Sequence, residues 1–118
     1  MTTAHQLLLI GKAGPIADAL LAVLAATPGV EVSARLDKVP NRGDREDPCA
    51  VLLECGSLER EVRAAVRAVR RLWPAARCLV LADDVRQQDE ARAAGADAAL
   101  IHGCPPAELI ATVQALVA

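Results

Sequence analysis

Apolar residues fall along the chain in short, nearly unbroken runs, separated by stretches with helical spacing. The runs cover positions 7–10 (Leu-Leu-Leu-Ile), 50–53 (Ala-Val-Leu-Leu), 78–81 (Cys-Leu-Val-Leu) and 98–101 (Ala-Ala-Leu-Ile). Strands covered on both faces lack an exposed side, so runs of this kind predict buried parallel strands. Positions 30–36 differ. Val30, Val32, Ala34 and Leu36 alternate with Glu31, Ser33 and Arg35. That period of two predicts a half-exposed edge strand.

Helical patterns fill most of the gaps. The first starts at Pro15, sets Ile16, Leu20, Val23 and Leu24 on one face, and stops before Pro28-Gly29. Proline is favourable in a first helical turn. The next follows Ser57, a candidate N-cap, with Leu58, Val62, Val66, Val69 and Trp73 in register before Pro74. A short helix over 86–94 ends at Gly95, and a last one starts at Pro106 with Leu109, Ile110, Val113, Leu116 and Val117. Positions 37–48 carry no apolar period and hold Pro40, Gly43 and Pro48, so a loop with at most one helical turn is expected there. An Arg42-Gly43-Asp44 tripeptide in that loop is read as coincidence.

This β-α-β-loop-β-α-β-α-β-α order calls for one α/β domain over residues 1–118. Right-handed crossovers then give a flavodoxin-like three-layer sandwich around a five-stranded parallel sheet, order 2-1-3-4-5, its second helix short or missing.

Composition narrows the function. The chain is 53% hydrophobic with one tryptophan, no tyrosine and no phenylalanine, so its core is aliphatic and it lacks aromatic platforms for stacking bases. A net charge of −2 gives no overall pull toward nucleic acid, so direct nucleic-acid binding is not expected. The apolar run at 7–10 is too short for a secretory signal, and no span approaches a membrane crossing. Cys49, Cys55, Cys78 and Cys104 form no CxxC pair. A cytoplasmic protein with reduced thiols, no membrane association, no metal and no cofactor is expected.

In a sheet of this order, ligands bind beyond the carboxyl ends of the strands. The residues there are Gly11 and Lys12, Glu54 and Cys55, Ala82 with Asp83 and Asp84, and His102. Several phrases around them carry a family resemblance. They are Thr27-Pro28-Gly29-Val30-Glu31-Val32, Pro48-Cys49-Ala50-Val51-Leu52-Leu53-Glu54, Trp73-Pro74-Ala75-Ala76-Arg77-Cys78-Leu79-Val80-Leu81, and Ala93-Ala94-Gly95-Ala96-Asp97 running on to Pro105-Pro106-Ala107-Glu108-Leu109. Over nearly its whole length the chain resembles a receiver domain of two-component response regulators, most of all those joined to LuxR-like DNA-binding domains.

The resemblance implies a phosphorylation pocket, and each functional position departs from it. Receivers end the first strand with two acidic residues that hold Mg²⁺; here stand Gly11 and Lys12. They end the third with the phospho-accepting aspartate, the fourth with Ser or Thr, and the fifth with Lys. Here those positions are Glu54, Ala82 and His102. Phosphoryl transfer needs a divalent ion held by carboxylates. Lysine in place of a ligand repels that ion, and the extra methylene of Glu54 displaces its carboxylate from the in-line position. A degenerate, non-catalytic receiver is expected, working through protein–protein contact as a homodimer. It would be the regulatory part of a transcription regulator or a stand-alone adaptor. No helix-turn-helix follows position 118, so a DNA-binding domain or protein partner would come from outside this sequence. A small-molecule sensor using the former phosphorylation pocket is the alternative.

Other groupings carry less. Lys12 and Glu54 are expected to pair across the pocket. Asp83 and Asp84 with Glu54, or His102 with Cys104 and Cys55, could approach a metal, but neither set has a ligand spacing. Arg60, Arg63, Arg67 and Arg70, interrupted by Glu59 and Glu61, read as a solvated helix face. On the last helix, Leu109, Ile110, Val113 and Val117 are the candidate dimer contacts. Ile110 and Val117 are expected to point outward while Val113 and Leu116 serve the core.

Overall fold

Apolar runs read as strands buried on both faces need helices above and below them. A computed structural model of the chain, which describes residues 4–40, 47–54 and 62–118, provides that arrangement. The elements are β1 (His5–Ile10), α1 (Pro15–Ala25), β2 (Val30–Leu36), β3 (Ala50–Glu54), α2 (Val62–Leu72), β4 (Arg77–Ala82), α3 (Val85–Ala94), β5 (Ala98–Ile101) and α4 (Pro106–Val117). All strand pairs are parallel and their order is β2-β1-β3-β4-β5. This is the flavodoxin-like order that the alternation calls for. The runs at 7–10, 50–53 and 78–81 are buried on both faces, whereas the run at 98–101 forms the second sheet edge and is fully buried only at Ala99. Among the described residues no helix lies between β2 and β3. The Arg42-Gly43-Asp44 tripeptide, the Ser57 cap, Leu58, Glu59, Arg60, Glu61 and Cys55 lie outside the described residues.

Successive strand residues point to opposite faces, so each apolar run serves two cores. Leu8, Ile10, Val51, Leu53 and Val80 meet Val62, Val66 and Val69 of α2, with Trp73 and Ala91. Leu7, Leu9, Leu52, Leu79 and Leu81 meet Leu20 and Leu24 of α1 and Leu109, Val113 and Val117 of α4. Strand β2 is buried at Val30 and otherwise half-exposed or exposed, as an edge should be.

Local chemistry sets the helix ends. The Asp84 carboxylate caps α3 by accepting from the Gln87 backbone N–H at 2.9 Å. Gly95 closes α3 at φ +113, a left-handed conformation that any side chain would strain.

Three expectations about helix faces need correction. On α1 the buried residues are Ala17, Leu20 and Leu24, while Ile16 is 56% exposed. On α4 the buried residues are Leu109, Val113 and Val117. At about 100° per residue, steps of four keep those three on one face. Three of the four candidate dimer contacts are therefore core residues, Val117 does not point outward, and Ile110 and Leu116 are half-buried flanks. Arg70 leaves the solvated stripe. Its guanidinium donates to the Ala76 carbonyl at 2.9 Å, to the Gly95 carbonyl at 2.7 Å and to the Asp97 carboxylate at 2.6 Å.

Candidate functional site

The sheet delivers its carboxyl-end residues to one place because neighbouring strands stop in register. Glu54, the last residue of β3, pairs with Leu81, and Ala82 pairs with Ile101. One step on, the His102 backbone N–H donates to the Ala82 carbonyl at 2.9 Å, extending the β4–β5 ladder and fixing where the imidazole starts. Gly11 is buried, and its N–H donates to the Leu36 carbonyl at 2.8 Å.

Among the described residues, Glu54 and His102 meet closely across the pocket. His102 Nε2 lies 2.6 Å from Glu54 Oε1, a short hydrogen-bonding distance. Glu54 is 4% exposed, unusual for a glutamate, and a polar group so buried is costly unless it is hydrogen-bonded. The His102 side chain is 24% exposed and sits at the mouth. Asp83 Oδ1 approaches the same Nε2 atom at 4.0 Å, beyond hydrogen-bonding reach, and its side chain is 53% exposed.

An open cleft of about 600 Å³ spreads over this group, lined by Lys12, Pro15, Ile16, Glu54, Asp83 and His102. The structure thus gathers Lys12, Glu54 and His102 around one cleft, with Gly11 and Ala82 buried at the strand ends behind it. Lys12 was the expected partner of Glu54. The side chain brought against that carboxylate is instead His102, and Lys12 is exposed at the rim. Strand β5 fixes the imidazole from its backbone, whereas a lysine just past β1 is free to extend into water.

Of the two weaker ligand groupings, the structure takes one member or two from each. Glu54, Asp83 and His102 have ligand atoms within 4.8 Å of one another. Asp84 is used as the α3 cap, and the Cys104 thiol is half-buried and raised by burial and by Glu108. Arg35 is a residue the sequence pattern passes over. Read as an outward residue of an edge strand, it donates to the Gly11 carbonyl at 2.7 Å and to Asp37 at 2.8 Å, tying the end of β1 to the end of β2. The same guanidinium holds the Asp37 carboxyl below its usual range. Only the register of β1 on β2, Ile10 beside Leu36, brings Arg35 within reach of Gly11.

Comparison with known proteins adds the fold's setting. No protein-family model matches the chain, and no curated protein sequence does. Solved structures match over almost its full length. A two-component response regulator of the LuxR family from Aurantimonas sp. SI85-9A1 superposes with a TM-score of 0.84 at 19% identity, covering 98% of this chain and 86% of that one. The signal receiver domain of a NarL response regulator from Mycobacterium tuberculosis gives 0.80 at 16% identity, with 98% and 97% covered. A protein described as pilus assembly-related from Burkholderia pseudomallei K96243 gives 0.84 at 17% identity, with 99% and 92% covered. The chain has the fold of response-regulator receiver domains. Among the described residues no helix is long and apolar enough to cross a membrane.

Proposed function

We propose that the chain is a non-catalytic, phosphorylation-independent receiver-like module that signals through protein–protein contact as a homodimer. It serves in the cytoplasm as the regulatory part of a transcription regulator or as an adaptor. The observation that carries this reading is the Glu54–His102 contact at 2.6 Å. Where a receiver presents an accessible aspartate, this chain presents a carboxylate that is 4% exposed and engaged by an imidazole. The neighbouring positions support it. Lys12 sets a cation where Mg²⁺ would be bound, and the buried Ala82 has no hydroxyl to meet a phosphoryl group. The fold itself occurs in proteins described as response regulators and as pilus assembly-related. The choice of function therefore rests on the pocket and not on the fold.

Sedimentation equilibrium with and without acetyl phosphate and Mg²⁺ tests this. The same mass is expected in both conditions, and a mass that changes with the phosphodonor contradicts it.

The cleft favours a second reading, a small-molecule sensor. Its size of about 600 Å³ suits a metabolite. An adjoining apolar groove of about 230 Å³, bounded by Ile16, Leu20, Val23 and Leu109, would take an aliphatic portion. A thermal-shift screen of small carboxylic acids decides this reading, since a ligand that binds the folded state raises Tm with concentration.

A further inference from the structure

We propose that Glu54, Asp83 and His102 form a binding site for a divalent first-row transition ion of the zinc class. The three side chains come from the ends of three adjacent strands, β3, β4 and β5, so rigid backbone places all of them. Two carboxylates converge on one nitrogen. Glu54 Oε1 is 2.6 Å from His102 Nε2 and Asp83 Oδ1 is 4.0 Å from it. One imidazole N–H can serve a single acceptor, so a proton on Nε2 satisfies Glu54 and leaves Asp83 out of reach. A cation between the three serves all of them.

The distances suit such an ion after small side-chain rotations. Ligand bonds of about 2.0–2.2 Å in tetrahedral geometry put donor atoms roughly 3.3–3.5 Å apart. The observed spacings, 2.6 Å and 4.0 Å from Nε2 and none among the three above 4.8 Å, bracket that value. One imidazole nitrogen with two carboxylate oxygens is a borderline donor set that favours Zn²⁺, Co²⁺ or Fe²⁺, whereas Mg²⁺ prefers oxygen alone. Two negative charges neutralise the ion. The remaining coordination positions face the cleft, and the half-exposed Asp83 and partly exposed His102 leave an entry path. This differs from the metal position that the receiver resemblance implies, because it uses no residue of the β1 end, where Lys12 stands. A bound ion here replaces the direct Glu54–His102 contact with a bridge through the metal. The proposal therefore rests on the same pocket as the proposed function, and Glu54 stays engaged in either state.

The test uses the chain without a polyhistidine tag, so that its own His5 and His102 are the only imidazoles. Their ring signals are followed by NMR as Co²⁺ is added below one equivalent, and Zn²⁺ affinity is measured by calorimetry. Loss of the His102 signals ahead of those of His5 is expected, with one Zn²⁺ bound per chain and Mg²⁺ unable to displace it at equal concentration. Asp83→Asn, at an exposed position, should weaken Zn²⁺ binding by about tenfold or more. His102→Gln should abolish it, and His5→Gln should leave it unchanged.

His5 lies 3.7 Å from the Cys49 sulfur, which makes it the natural site for an adventitious ion. Broadening of His5 alone overturns the proposal. So does Zn²⁺ affinity that Asp83→Asn leaves intact, or displacement by Mg²⁺. If His102→Gln fails to fold, Asp83→Asn decides the question by itself.

Discussion

Asp97 does more than its place between α3 and β5 suggests. One carboxylate oxygen accepts from the Cys78 backbone N–H at 2.7 Å and from Arg70 at 2.6 Å, and the other faces Arg77 at 3.6 Å. Arg70 also holds the Ala76 and Gly95 carbonyls, so the pair staples the end of α2 and the start of β4 to the turn after α3. Asp97→Asn keeps the shape and removes the charge. It should destabilise by about 1–3 kcal/mol in denaturant unfolding followed by the buried Trp73, because charged hydrogen bonds in partly covered sites are costly to break. Sequence reading assigned Arg70 to a solvated stripe because helical spacing reveals which face a residue occupies, not what meets it from 27 positions away.

Burial gives Cys78 its own signature. Desolvation pushes its thiol from 9.0 up to about 12. The unfolded chain ionises this thiol near 9.0 and the folded chain resists doing so. Its contribution to stability is therefore complete below about pH 9 and declines as pH rises from there toward 12. Iodoacetamide at pH 8 should label the half-buried Cys49 well before Cys78, read by mass spectrometry of digests. Equal labelling of the two in the folded protein would refute this.

Among the elements, the strands were the most legible. A strand buried on both faces has no polar side, and four apolar runs together with one alternating run leave few arrangements open. The run of β5, apolar like the others, nevertheless forms a half-buried edge. Helix caps were half legible. Gly95 announced the end of α3, whereas Asp84 was weighed as a metal ligand and proves to be its N-cap. Asp84→Ala should cost about 1 kcal/mol. Gly95→Ala, at φ +113, should cost roughly 1–2 kcal/mol. Thermal or denaturant unfolding reads both.

Helix faces were the least legible, since α4 has only Glu108, Thr112 and Gln114 as polar residues among its aliphatic ones, too few to orient it. Its burial leaves Ile110 as the one candidate dimer contact outside the core. If the proposed homodimer forms through this helix, Ile110→Glu should leave the fold intact and yield a monomer in sedimentation equilibrium. A parent that is monomeric at high micromolar concentration, or a variant that stays dimeric, removes the dimer from the proposed function. Val117→Glu should instead destabilise the monomer fold itself, because it drives a charge into the core shared with Leu20 and Leu24.

At the scale of the whole molecule, the chain has the fold of response-regulator receiver domains and carries Lys12, Glu54, Ala82 and His102 at the carboxyl edge of its sheet. The strand ends could be read from the sequence because β1 and β5 end where their apolar runs end, and β3 and β4 one residue later. The pairing inside the pocket could not, since choosing between Lys12 and His102 as the partner of Glu54 depends on side-chain direction at the strand ends. The cleft there has a buried Glu54 in contact with the His102 imidazole, a lysine at the rim and no hydroxyl at Ala82. The most direct test is the intact mass of the chain after incubation with acetyl phosphate and Mg²⁺, alongside a receiver that keeps its aspartate. The receiver should gain a phosphoryl group and this chain should keep its unmodified mass. A phosphorylated species that maps to Glu54 would contradict the account.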